Sequence, residues 1–506
     1  MSNYVLYWGN LVDLGIIGVL ILFANTLRRK VPFLKKYVIP TSIIAGFIGL
    51  GLKYLFTIKT GSGAAWGSID GRPLLGGEFM GIVAYHTLAL GFIASSLRNT
   101  SNKEKKGVAK GGTIKTGLTI VTSYLMQAGL GLVITIAGYY IWKNTESLMA
   151  SGPHSGVILA LAFGQGPGNA MNTGRTFDLT LIGQGLLPVG SNVWESWGLS
   201  LAAIGFLAAC IPGIIYINYL VKKKKIIRYE GADDIKVEET SQFADENEIP
   251  LSESVDKFTV QIAFVLGIYF ITWLLLYGIE ALLTLGYKNG ESNIFNTVSN
   301  LIWGFNFIFA IVATMIVKLL VNLLQKKKIM KRKYTNDFML TRISGLAFDF
   351  MVVAALTAID VTIFKDAGLI IVLIVASLVG AVATFFLNRY QARKWFASYE
   401  YEAFFSLYGT LTGTNSTGIA LLREIDPYFE TPAANNLVNG AASAVLFGGP
   451  LLIAIAFVQN WPNYGWWYLP VITLGILLLF GIYMIVGEWY NKRMAKEEVI
   501  EKPVEE

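Results

Sequence analysis

Two short stretches carry the residues best suited to chemistry, GQGPGNAMNT (164–173) and GTLTGTNST (409–417). Each combines closely spaced glycines with neutral side chains that bear oxygen. Glycine lets a backbone turn sharply and lets a ligand approach without an intervening side chain. Amide and hydroxyl oxygens are hard donors of the kind that hold calcium and magnesium, and they suit Na+ equally. If each stretch is a break between two short helices, the arm leaving it presents unpaired N–H groups to an anion, and the arm entering it presents carbonyls to a cation. Such a pair fits a small carboxylate or amino acid taken together with Na+. On this reading Gln165, Gly166, Gly168, Asn169 and Thr173, with Thr414, Asn415, Ser416 and Thr417, face the organic ligand. Gly164, Asn172, Gly409, Thr410 and Thr412 are the candidates for holding Na+. His86 and Asp349 stand in apolar stretches, where charge is costly and usually faces a cavity or a partner, and they are the coupling candidates. Glu195, Glu280 and Lys318 fall near the ends of such stretches, where an interfacial role is expected.

The elements that must position these residues are membrane helices. Of 506 residues, 54% are hydrophobic and 15% charged, against about 25% charged in water-soluble domains. Apolar stretches near 10–27, 38–55, 78–97, 113–141, 192–222, 258–286, 298–324, 338–361, 367–388, 435–458 and 467–487 are read as eleven spans, since a helix needs about 20 residues to cross a bilayer. Their long continuous runs, with little two-residue alternation, argue against an outer-membrane barrel. The predicted class is an all-α integral membrane protein.

Basic residues then set the orientation. Clusters at 28–36, 98–110, 222–225, 326–333, 389–394 and 492–496 follow every odd-numbered span, and the other connections are poorer in them. Positive charge is retained on the cytoplasmic side, so the N-terminus is expected outside and the C-terminus inside. The first basic residues follow the first apolar run, so that run reads as a retained span and not as a cleaved signal. The net charge of +7 lies in these loops and gives no reason to expect nucleic acid.

Two weakly apolar segments, 155–191 and 400–425, must each begin and end on one side to keep this pattern. They read as re-entrant hairpins entering from opposite faces, with the Gly-rich stretches at their tips. Spans one to four, a hairpin and span five then match spans six to nine, a hairpin and span ten. Five crossings per unit force the second copy upside down, as in many secondary transporters. The predicted organisation is a first repeat over 1–222, a charged cytoplasmic linker over 223–257, a second, inverted repeat over 258–458, and an extra span with a tail over 459–506.

Other chemistry finds little support. One cysteine, Cys210, excludes an intrachain disulfide, and two histidines, His86 and His154, give no histidine-built metal site. No GxxxxGK[ST] phosphate loop is present, and no catalytic constellation is evident, so an enzyme is not expected. An ion channel is a competing reading, because Gly-rich re-entrant loops also line pores. A proton-coupled organic anion carrier is the other alternative.

The ordered motifs resemble those of the bacterial sodium/glutamate symporter family. FLKKYVIPTSIIAGFIGLGL (33–52) looks like the lead into that family's second span, GFIASSLR (91–98) like the end of its third, and YEAFFSLYG (401–409) like its approach to the second tip. The resemblance covers most of 10–458 in order. The tips depart from it: Phe163, Gly164 and Gln165 stand where the family has paired glycines and a histidine, and TGTNSTG (412–418) replaces a Thr-Pro-Thr-Ala-like run. The resemblance implies Na+-coupled uptake of glutamate by an elevator-like shift of the hairpin domain. It also implies a homodimer in the cytoplasmic membrane of a bacterium, with Na+ as coupling ion and lipid and a glutamate-like substrate as partners.

Overall fold

The computed structural model describes residues 5–58, 68–69, 72–98, 111–229, 257–285, 299–300, 302–330, 334–459, 461–463, 465 and 467–501. Most of the expected linker, 230–256, and the basic residues Lys103, Lys105, Lys106 and Lys110 lie outside them. Apart from a two-residue ladder pairing Ser68–Ile69 with Arg72–Pro73, the regular structure of the described residues is helical. Helices are the natural outcome of long apolar runs, because each satisfies its own backbone where water is absent.

Among the described residues, nine helices are long and apolar enough to cross a membrane. They are α1 (Val5–Lys30), α4 (Gly77–Leu97), α5 (Gly112–Trp142), α8 (Val193–Lys222), α9 (Lys257–Leu285), α10 (Asn306–Lys326), α11 (Asp337–Ala358), α12 (Ala367–Trp395) and α17 (Tyr468–Glu501). The chain is a multi-pass membrane protein. Between these helices lie α2 (Pro32–Lys36), α3 (Thr41–Phe56), α6 (Ile158–Gln165), α7 (Pro167–Gly183), α13 (Glu400–Thr412), α14 (Asn415–Arg423), α15 (Ala433–Phe447) and α16 (Gly449–Val458).

Three expected spans differ from what is observed. The second, α3, has only 16 residues, about 24 Å of rise against a ~30 Å hydrocarbon core. The tenth is two helices, because Gly448, Gly449 and Pro450 interrupt it and proline cannot supply a mid-helix N–H. The seventh is interrupted: residues 299–300 and 302–304 are helical, Phe305 makes a turn, and α10 begins at Asn306. Just before it, Gly304 is a weak helix former and the Trp303 carbonyl is taken by the Tyr85 hydroxyl at 2.7 Å.

The chain folds into two compact units that do not follow the sequence halves. Unit 1 comprises Met1–Leu22, Ala45–Ser101 and Lys236–Ala358; unit 2 comprises Phe23–Ile44, Asn102–Ile235 and Ile359–Glu506.

In unit 1, α4 packs closely along α11. Gly91 leaves room for the Phe348 ring, and Ser344 Oγ donates to the Gly91 carbonyl at 3.0 Å. Lys318 Nζ donates to the carbonyls of Ser96 (3.0 Å) and Arg98 (2.7 Å) at the end of α4, a favourable place for a cation beside a helix C-terminus. Lys53 Nζ does the same for Ala358 at the end of α11, at 3.0 Å. Glu280 accepts from Ser299 Oγ and Trp303 Nε1, both at 2.9 Å.

Unit 2 holds the largest fully buried aromatic side chains, Trp194, Trp197, Tyr408, Phe163, Phe177, Phe206, Phe404 and Phe405. Its centre is the pair α5 and α12, joined by a polar ladder. Gln391 Nε2 donates to Thr122 Oγ1 (2.7 Å), Ser123 Oγ to Asn388 Oδ1 (2.9 Å) and Gln127 Nε2 to Thr384 Oγ1 (2.9 Å). Numbers rise on one helix as they fall on the other, so the two run antiparallel. Each is followed by a broken pair of short helices, α6–α7 after α5 and α13–α14 after α12.

Close backbone approach holds α5 to the turn at Pro153–Val157, where Gly131 and Gly156 face each other with no room for a side chain on either. Gly131→Ala is therefore expected to lower stability by about 1–3 kcal/mol, read as a fall in melting temperature of the detergent-solubilised protein. Gly475→Ala, on an open face of α17, should leave it unchanged.

Candidate functional site

The site begins with two places where the chain cannot continue as a helix. At the first, Pro167 has no N–H and excludes the helical conformation from the residue before it. Gly166 takes that position at φ +87°, ψ −178°, a region essentially reserved for glycine. Helix α6 thus ends at Gln165, and α7 restarts with proline in its first turn, where the missing N–H costs nothing. At the second, α13 ends at Thr412, Gly413 and extended Thr414 make the turn, and α14 restarts at Asn415.

The two breaks meet inside unit 2. A methyl group on Gly166 would lie 2.9 Å from Thr414 Cγ2 and 3.6 Å from the Gly413 carbonyl oxygen. Gly205 of α8 faces the Thr412 carbonyl and the Phe163 ring, so one helix backs both breaks. The C-terminal ends of α6 and α13 and the N-terminal ends of α7 and α14 are therefore brought together. No residue of 163–174 or 409–418 carries a formal charge, so helix ends and neutral dipoles set the local field.

Helix ends inside an apolar body leave carbonyls and N–H groups that must find partners. Two residues of α5 meet part of that need, one for each break. Tyr124 donates its hydroxyl to the Gly164 carbonyl at 3.0 Å, and Gln127 Nε2 donates to the Leu411 carbonyl at 2.8 Å. On the other side, Ala170 N–H returns to the Gly166 carbonyl (3.3 Å) and Gly418 N–H to the Thr414 carbonyl (3.0 Å). The N–H groups of Gly168 and Asn169, and of Asn415, Ser416 and Thr417, lie outside their helices' own ladders and face the breaks.

Side chains near the breaks divide into satisfied and unsatisfied. Gln165 accepts from Asn169 Nδ2 at 2.9 Å. Asn169 Oδ1, both amide atoms of Asn172 and the Thr173 hydroxyl are buried without a partner. These three residues stand at i, i+3 and i+4 of α7, on one face. The Thr410 hydroxyl is also buried and unpartnered. Thr414 Oγ1 lies 3.4 Å from Thr417 Oγ1, Thr417 is buried, and Asn415 and Ser416 are exposed. Buried amides and hydroxyls are nearly always hydrogen-bonded, so these exceptions are polar groups available to a ligand at the breaks, though buried groups without partners also occur elsewhere among the described residues.

Other expected residues fall elsewhere. Thr412 spends its hydroxyl on the Tyr408 carbonyl at 2.7 Å. Gly409 is a packing position, where a methyl group would lie 2.7 Å from the Gly418 Cα. Gly164 abuts the Tyr124 ring, and Gly168 is buried in the first turn of α7. His86, bonded to the Tyr269 hydroxyl, and Asp349, on the exposed side of α11, belong to unit 1 and not to the unit that carries the breaks.

The outer ends of both broken pairs are fastened by carboxylates that the sequence analysis did not single out. Asp178 of α7 accepts from the N–H groups of Trp194 (3.0 Å) and Glu195 (2.9 Å) in the first turn of α8, where an anion is favoured. Asp426 accepts from Glu430 N–H (2.9 Å), Thr431 N–H (3.0 Å) and the Thr431 hydroxyl (2.6 Å) just before α15. Tyr124, Gln127 and the ladder partners on α12 were missed as well. Their signal was neutral polar residues spaced three or four apart within apolar spans.

Gly166→Ala is expected to cost about 1–3 kcal/mol through its backbone conformation alone and to push the breaks apart at Thr414. Gly183→Ala, with open space around it, should be silent. Melting temperatures of the two variants check this.

Compared with protein-family models, curated proteins and solved structures, the chain matches none of them, and its function has to be argued from its own residues.

Proposed function

We propose that the chain is a secondary active transporter that carries glutamate or a related small carboxylate or amino acid together with Na+. The observation that carries the reading is the meeting of two helix breaks, Gly166 against Thr414, ringed by buried oxygens and amides without partners. A carboxylate fits the N-terminal ends of α7 and α14, where N–H groups and helix dipoles favour negative charge. Asn172 Nδ2 and the Thr173 hydroxyl add donors one turn into α7. A cation fits the C-terminal ends of α6 and α13. Because the two break segments themselves carry no formal charge, anion and cation neutralise each other best when both are bound, which is the physical basis of symport.

An elevator-like alternating-access mechanism suits this reading. Both breaks belong to unit 2, which draws equivalent segments from either side of the chain's middle: a long helix, a broken pair and a following helix. That pattern accords with two inverted repeats whose re-entrant hairpins supply the tips, with an N-terminus outside and a C-terminus in the cytoplasm. Unit 2 is then the part that carries the ligand. Homodimer formation in a bacterial cytoplasmic membrane completes the proposal.

Purified protein in liposomes is expected to accumulate labelled glutamate only under an inward Na+ gradient. Accumulation that ignores Na+ and follows a pH gradient would instead make the chain a proton-coupled carrier of organic anions. Flux far above a slow turnover cycle would make it a channel. Asn169→Ala, Asn172→Ala and Asn415→Ala should each lower uptake about tenfold or more, a loss near 1.4 kcal/mol, while inserting normally. Unchanged uptake in all three would move the site away from the breaks.

A further inference from the structure

Among the residues that support the breaks, Gln127 is fixed by its amide nitrogen and unmatched at its oxygen, a pattern that Gln391 shares on the same ladder. Its side chain is fully buried on α5. Nε2 donates one hydrogen to Thr384 Oγ1 at 2.9 Å and the other to the Leu411 carbonyl at 2.8 Å. A carbonyl can only accept, so the atom facing Leu411 must be the nitrogen, and the orientation of the amide is fixed. Both donors are used, yet Oε1 is buried with no partner. The amide is thus held by one end while its other end carries an unmatched oxygen, which is unfavourable for a buried acceptor.

That oxygen is aimed at the first break. A methyl group on Gly164 would lie 3.3 Å from it, so Oε1 faces the last turn of α6. The final four carbonyls of a helix have no partner within it. In α6 the Gly164 carbonyl is met by Tyr124, and the helix end as a whole carries partial negative charge. An acceptor-only amide oxygen beside the negative end of a helix attracts neither a carboxylate nor another carbonyl. It suits a small hard cation, which takes several oxygens at once.

We infer that Gln127 Oε1 is a ligand of the coupling Na+, held at the C-terminal end of α6 together with backbone carbonyls of its last turn. The inference rests on the Na+-coupled reading above and adds to it a residue from outside both breaks. It also links them chemically: the amide that holds the cation beside α6 is the one that fastens the end of α13 through the Leu411 carbonyl. Binding of Na+ at the first break would therefore steady the second.

The test is binding of radiolabelled sodium to the purified protein without glutamate, in wild type, Gln127→Met, Gln127→Glu and Thr384→Val. Methionine keeps the length and removes the oxygen, glutamate keeps an oxygen and removes the amide donors, and valine removes one support of the amide while leaving Oε1. Sodium affinity is expected to fall at least about tenfold in Gln127→Met, and to stay within about threefold of wild type in Gln127→Glu and Thr384→Val. Equal losses in all three variants would show that Gln127 only packs the breaks, and equal retention in all three would remove it from the cation site; either overturns the inference. If Gln127→Met does not fold, Gln127→Glu decides: lowered melting temperature with retained sodium affinity supports a ligand role, and lost affinity overturns it. Wild-type protein that accumulates glutamate but binds no sodium would overturn the coupling ion itself, a different failure from a Gln127→Met variant that binds sodium as wild type does.

Discussion

Unsatisfied backbone at the two helix breaks is the constraint on which the rest of unit 2 depends. Ending a helix inside an apolar body strands several N–H and C=O groups, each costly unless paired. The chain answers with specific residues. Tyr124 and Gln127, three apart on α5, reach the Gly164 and Leu411 carbonyls, and Asp178 and Asp426 gather N–H groups at the far ends. Among the described residues, several groups near the breaks stay unmatched, on α7, on Thr410 and at Gln127 Oε1, as do others farther off such as His154 and Ser377. The proposed ligand site draws on the unmatched groups nearest the breaks.

The polar ladder between α5 and α12 serves the same end. Thr122, Ser123 and Gln127 against Gln391, Asn388 and Thr384 fix the register of two antiparallel helices. Apolar packing alone holds register weakly when both neighbours and lipid are greasy. A shift of one turn would detach Gln127 from Leu411 and release the end of α13. Glycines complete the arrangement where helices must come close, as Gly131 does against Gly156 and Gly205 does behind both breaks.

Much of this architecture was legible in the sequence. Hydropathy and basic clusters marked the long helices, and GQGPG (164–168) and GTLTG (409–413) marked the breaks, because glycine and proline have few other reasons to sit together in apolar surroundings. The interruption at Gly448–Pro450 carries the same glycine–proline signal. What the sequence hid was long-range. Gln127 lies 257 residues from Thr384 and 284 from Leu411, and neutral amides within apolar spans attract less notice than His86 or Asp349. Those two ionisable residues drew the coupling assignment, yet they belong to unit 1. Nor does linear order disclose that each compact unit is drawn from both halves of the chain.

If the proposed function holds, the two breaks form one ligand site. Hydrogen–deuterium exchange of the membrane-embedded protein, with and without Na+ and glutamate, tests it most directly. Ligand is expected to slow exchange of the peptides over 164–173 and 409–418 together and to leave the α4 and α11 peptides of unit 1 unchanged. Protection confined to unit 1, or to one break alone, would contradict it.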